Sequence, residues 1–161
     1  MRMYRYVRAV TLAAAACMLP VSVATSSHAE VRLEEDFGVL TTRSWCEDYG
    51  VSGEADPWQT PGWGCFERTG DKFYVNVGDT TDGTPRVEWW NELRNKYGEW
   101  KIYRQGYCYG EWYRDSTVVC NKDFYEDSTS PNKLGGEGSR IVFLYRDSHG
   151  PSGKQVVRND A

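Results

Sequence analysis

After residue 29, no long segment of this chain keeps the 3.6-residue hydrophobic period of a helix, and short alternating runs take its place. Residues 71–78 (DKFYVNVG) set Phe73, Val75 and Val77 against Tyr74 and Asn76. Residues 99–105 (EWKIYRQ) set Trp100, Ile102 and Arg104 against Lys101 and Tyr103. Residues 140–146 (RIVFLYR) form the most apolar run and the expected central strand. Gly, Pro, Asp and Asn cut the chain between these runs, at 79–85, 95–98 and 147–153. The expected class is all-β: a small disulfide-stabilised sandwich or barrel of about six to eight short strands. The body is read as a single β domain over residues 43–161.

The N-terminus reads differently. Arg2, Arg5 and Arg8 precede an apolar run that ends near Ala24, and the small residues Ser27 and Ala29 follow. This is the layout of a secretory signal peptide over residues 1–29, of bacterial type. The apolar run is shorter than the roughly 20 residues a spanning helix needs, so membrane insertion is not expected. The segment holds three of the nineteen basic residues and none of the twenty-three acids, which leaves a net charge of −7 on the rest. So acidic a body argues against nucleic acid as a partner.

Beyond the leader stand Cys46, Cys65, Cys108 and Cys120. An even set in an exported chain reads as two disulfides. Of the three possible connectivities, Cys46–Cys65 and Cys108–Cys120 are preferred because each closes a short local loop. The second bridge is expected to staple neighbouring strands. A zinc site would want C-x-x-C spacing or nearby histidines, and the chain beyond the leader has one histidine. The aspartates at 79 and 82 lack the spacing of a calcium loop. No metal or cofactor is expected.

Residues 86–125 hold four of the seven tryptophans (Trp89, Trp90, Trp100, Trp112), together with six tyrosines. Aromatics at this density build a core or present a recognition face. Trp89, Trp90, Tyr109 and Trp112 are candidate protein anchors, with Tyr107 and Tyr113 beside them. Trp58 and Trp63 flank a polar turn in the loop closed by Cys46 and Cys65. They are candidates for stacking on sugar rings or for anchoring a protein. Residues 30–42 are read as a flexible acidic arm, whose segment 30–40 reads EVRLEEDFGVL. Its bland reading is a frayed end or an edge strand. Its sharper reading is an arm that orders on a partner by adding a strand or filling a groove, through Val31, Leu33 and Phe37.

No complete catalytic motif is present. Ser-His-Asp chemistry would depend on His149, and no G-x-S-x-G elbow exists. Glu88, Arg140 and His149 match the residue types of small secreted ribonucleases without matching a spacing, and the N-terminal helix of those enzymes is missing. The expected function is therefore non-enzymatic binding, with protein as first choice of partner. Carbohydrate held by the loop tryptophans is second, and a small secreted hydrolase third.

The combination of signal peptide, acidic arm and small two-disulfide β body resembles the small adaptor subunits of secreted bacterial umbrella-type toxin particles. The resemblance covers the general plan of the chain. It implies a secreted adaptor that joins a larger scaffold subunit to a lectin-like subunit, with residues 30–40 as the docking arm.

Overall fold

The computed structural model describes residues 31–53, 60–79, 84–110 and 115–160. Residues 1–30, where the signal peptide is expected, and Trp58, Asp82, Trp112 and Tyr113 lie outside the described residues.

Alternation does what the sequence implies. In β4 (Trp63–Glu67), β5 (Lys72–Asn76), β6 (Arg86–Asn95) and β9 (Gly135–Asp147), apolar side chains recur on one face and are buried. The described residues form two sheets of six and five strands that close face to face on these side chains. The six-stranded sheet runs β1 (Leu33–Phe37), β7 (Trp100–Tyr109), β6, β9, β10 (Gly150–Pro151), with β11 (Gln155–Arg158) also on β9. The five-stranded sheet runs β2 (Val39–Thr41), β8 (Thr117–Asn121), β5, β4, β3 (Tyr49–Ser52). The result is an all-β sandwich carrying two disulfides. It has more strands than the alternation foretold, because segments of two to five residues pair as β1, β2, β3 and β10. Runs that short carry too few side chains to show a period.

Aromatic rings fill the space between the sheets. Phe73 lies against Trp89 at 5.8 Å in a stacked arrangement, and Phe124 meets Trp89 edge-on at 5.2 Å. Phe66 and Phe143 complete the cluster around Phe73. Trp89 is fully buried, so this expected partner anchor is a core residue instead. Trp90, its neighbour on a two-residue period, faces outward from the same strand.

Both disulfides join the expected cysteines. Cys46–Cys65 ties the loop before β3 to β4 within one half of the body. Cys108–Cys120 differs from expectation. It joins β7 of one sheet to β8 of the other, so it pins the two layers together rather than stapling neighbours in one sheet.

Residues 33–41 do not stand off from the body. β1 pairs with β7 in parallel, Leu33 opposite Gln105 and Phe37 opposite Tyr109. β2 then pairs antiparallel with β8, Val39 opposite Val119. The crossing from one sheet to the other takes place at Gly38, whose N–H donates to the Tyr109 carbonyl at 3.1 Å. A Cβ at Gly38 would overlap Val118, so the corner can be this tight only with glycine. One continuous stretch thus forms the edge of both sheets on one side of the sandwich.

Candidate docking edge

The stretch is held in place by charge. The Glu34 carboxylate accepts two hydrogen bonds from the fork of Arg104, at 2.7 and 3.0 Å, and a third from Lys122 at 3.0 Å. Lys122 also donates to Asp36. Only 4 % of the Lys122 side chain is exposed, and its ammonium sits 4.7 Å above the Trp89 ring. A buried ammonium needs carboxylate partners, so the sequence E-E-D in β1 satisfies a cation that the core edge has taken out of water. Arg104 caps the same ring cluster, 5.1 Å from the centroid of Phe124.

The Arg104 hydrogen bonds hold the Glu34 carboxyl below its ordinary value of 4.5; Lys122 adds to this and burial works against it. A depressed carboxylate contributes stability that is present above that ordinary value and is lost as pH falls through the depressed one. Glu34→Gln should therefore lower the urea midpoint at pH 7. The gap to the parent chain should shrink as pH is taken below that ordinary carboxylate value. A gap unchanged across that range would show that the carboxylate is not what holds β1.

Opposite the tether, the edge shows apolar side chains to solvent. Phe37 is 77 % exposed, Val39 71 %, Leu40 55 % and Leu33 42 %. Phe37 stacks on Tyr109 at 5.3 Å, and the Tyr109 hydroxyl donates to Glu35 at 3.0 Å. Edge strands are commonly blunted by Lys, Pro or a bulge. Here β1 and β2 carry none of these, and the only charges are acids. Four large apolar side chains within nine residues exceed the scattered exposure of an ordinary surface.

The expected site residues divide accordingly. Leu33, Phe37 and Tyr109 come together on this edge. Val31 adjoins it, with Gln105 donating to its carbonyl at 3.4 Å. Trp90 lies on the outer face of the same sheet, two strands in from β1 across Gln105. The Lys154 ammonium covers its ring at 4.6 Å. Trp63 is half-buried on the other sheet, opposite Asn76, and does not join them. Sequence reasoning did not single out Val39 and Leu40. The adjacent apolar pair was their only signal, and it breaks the alternation that marked Val31 and Leu33. Lys122 and Arg104 had no sequence signal at all, since their partner Glu34 is 88 and 70 residues away.

The candidate hydrolase residues are dispersed. Glu88 is enclosed by Arg86 at 2.8 Å and Arg146 at 2.6 Å. Arg140 pairs with Glu92 at 2.6 Å, four residues further along β6 from Glu88, or about 13 Å by strand rise. His149 sits in the turn before β10, where its backbone N–H donates to Asp147 at 2.9 Å. Among the described residues no three metal-ligating side chains are grouped.

No protein-family model matches the chain, and comparison with curated proteins and with solved structures returns no match.

Proposed function

We propose that this chain is a secreted, non-enzymatic adaptor that binds another protein along the edge formed by β1 and β2. The observation that carries the reading is that Phe37, Val39 and Leu40 are exposed on edge strands that hold no lysine or proline and whose only charges are acids. The occupant is an extended segment of another secreted protein, added as a further strand. Main-chain hydrogen bonds would supply affinity, and pockets between alternate side chains would supply register. Glu35 and the net acidity of the body favour a partner strand that mixes apolar with basic residues. The plan resembles that of the adaptor subunits of umbrella-type toxin particles, for which the partners would be a scaffold subunit and a lectin-like subunit.

The test is affinity capture of the tagged protein, without residues 1–29, from the culture fluid of its source. A copy carrying Phe37→Ser, Val39→Lys and Leu40→Lys is run beside it. These three side chains are exposed, so the variant should keep the parent's circular dichroism. A protein recovered in stoichiometric amount with the parent and lost with the variant is the expected result. The reading fails if no protein is recovered, or if the same protein is recovered equally with both.

A further inference from the structure

The outer face of the six-stranded sheet departs from the polar exterior that alternation usually gives a sandwich. Trp90 on β6, Tyr107 on β7 and Val142 on β9 share it, each one residue from a side chain of the core. Two rows above Trp90, Arg86 stands directly opposite Arg146 across the β6–β9 pairing. Like charges so placed repel. Glu88 moderates this, because one of its oxygens accepts from Arg86 Nε at 3.0 Å and from Arg146 Nε at 2.6 Å. Among the described residues it is the only carboxylate that either guanidinium meets. Arg140 and Glu92 neutralise each other at 2.6 Å, and Lys154 over Trp90 adds a further cation. Around Trp90, four cations therefore face two carboxylates, on a chain whose net charge is −4. Glu35 stands two strands away on β1, where the Tyr109 hydroxyl holds it. An incoming carboxylate would complete the Arg86–Glu88–Arg146 group with two charges of each sign.

The same face offers an apolar anchor point. A recess of about 100 Å³ lies between Leu33, Trp90, Gln105 and Tyr107. It is smaller than the roughly 300 Å³ at which small-ligand sites begin, and it suits a single side chain. Glu88, which the guanidinium pair grips, precedes Trp90 by two residues. Recess and pair are thus about 7 Å apart, two residues of an extended strand. The face crosses β1, β7, β6, β9 and β11, and β6 is ten residues long. At ordinary strand spacing and rise it measures about 24 Å by about 33 Å. That is close to the roughly 800 Å² that each partner brings to a stable interface. A second copy would bring its own excess of cations to the contact, and nucleic acid would find cations half neutralised in place of a basic stripe.

We infer that this face docks an acidic segment of a second protein partner, with an apolar side chain in the recess and a carboxylate on Arg86 and Arg146. The two docking surfaces then take partners of opposite charge. This one uses none of Phe37, Val39 and Leu40, so the capture experiment and a titration of this face can fail independently.

The test is a titration of the isotope-labelled protein without residues 1–29, followed by amide chemical shifts. The probe is a twelve-residue peptide of repeated Leu-Ser-Glu-Ser, which sets leucine and glutamate two residues apart. It should move amides at 86–90, 105–107 and 142–146 in a saturable way, with Kd of about 1 mM or tighter. Counterparts with lysine for glutamate, or serine for leucine, should each bind at least about tenfold more weakly. Arg146→Gln and Trp90→Ala should each weaken binding of the acidic peptide about tenfold. Leu40→Ser, on the docking edge, should leave it unchanged. The inference is overturned by the absence of saturable binding, by equal binding of the lysine counterpart, or by binding that survives both Arg146→Gln and Trp90→Ala. Tighter binding of a twelve-residue oligothymidylate at these amides would make the face a nucleic-acid surface. Self-association in sedimentation that Arg146→Gln abolishes would make it a contact between copies. Either result overturns the inference as well.

Discussion

Trp89→Ala should cost about 3–5 kcal/mol, the largest single-residue loss expected in this protein. The indole is fully buried at the middle of the sandwich, against Phe73 at 5.8 Å and Phe124 at 5.2 Å. Truncation leaves a cavity between two sheets that the Cys108–Cys120 bridge holds apart, so the walls cannot collapse fully. It also removes the ring beneath Lys122, whose ammonium then faces a void. Set against a typical total of 5–15 kcal/mol, that loss brings the fold close to unfolding at room temperature. Urea unfolding with disulfides intact, followed by circular dichroism, measures it. The control is Trp90→Ala, one residue on. That ring is half-buried on the outer face and covered by Lys154, a contact worth about 0.5–1 kcal/mol. If Trp90→Ala proved the more damaging, the inward and outward faces of β6 would be exchanged.

Gly106→Ala should detach β1, and with it the proposed docking edge. Gly106 lies opposite Glu34 on one side and Trp89 on the other. A methyl there would overlap the Glu34 carbonyl oxygen and fall 2.7 Å from Trp89 Cζ2. The indole has no room to retreat in a filled core, so the edge strand has to move. Overpacking of this kind costs about 1–3 kcal/mol, and here the cost falls on one strand pairing. Amide exchange at 33–37 should rise steeply while the amides of β6 and β9 keep their protection. If β1 is the docking edge, capture of the partner should fall at least about tenfold, or 1.4 kcal/mol. Retained protection at 33–37 would mean that the methyl is absorbed by the core. Capture that persists with β1 released would place the partner elsewhere.

These two substitutions mark the boundary between what local pattern reveals and what it hides. Val87, Trp89 and Asn91 alternate with Glu88 and Trp90, so the sequence separates the two tryptophans onto opposite faces. It does not say which face is inward, because both carry an aromatic. That choice is made by Phe73 and Phe124, which arrive from elsewhere in the chain to cover one side. The same limit explains the disulfide. Proximity in sequence favours Cys108–Cys120, and the pairing is as expected. Whether its strands are neighbours in one sheet or face each other across two depends on β8 choosing β5 and β2 as partners.

The candidate site divides the same way. Val31 and Leu33 could be nominated because they alternate with Arg32 and Glu34 in a short extended run. Their setting could not. Glu34 and Asp36 read as solvated charges until Lys122 and Arg104 are placed beside them.

By itself, the sequence determined the class of this protein. A two-residue period broken by turn residues admits strands and little else, and paired cysteines at short spacing set the cross-links. Both are local properties, legible within a few residues. The tertiary structure alone decided which ring is core and that residues 33–41 lie down as the edge of both sheets. Those outcomes rest on contacts between residues tens of positions apart. Burial and ion pairing are properties of what surrounds a side chain, and in a sandwich the surroundings are supplied by distant strands.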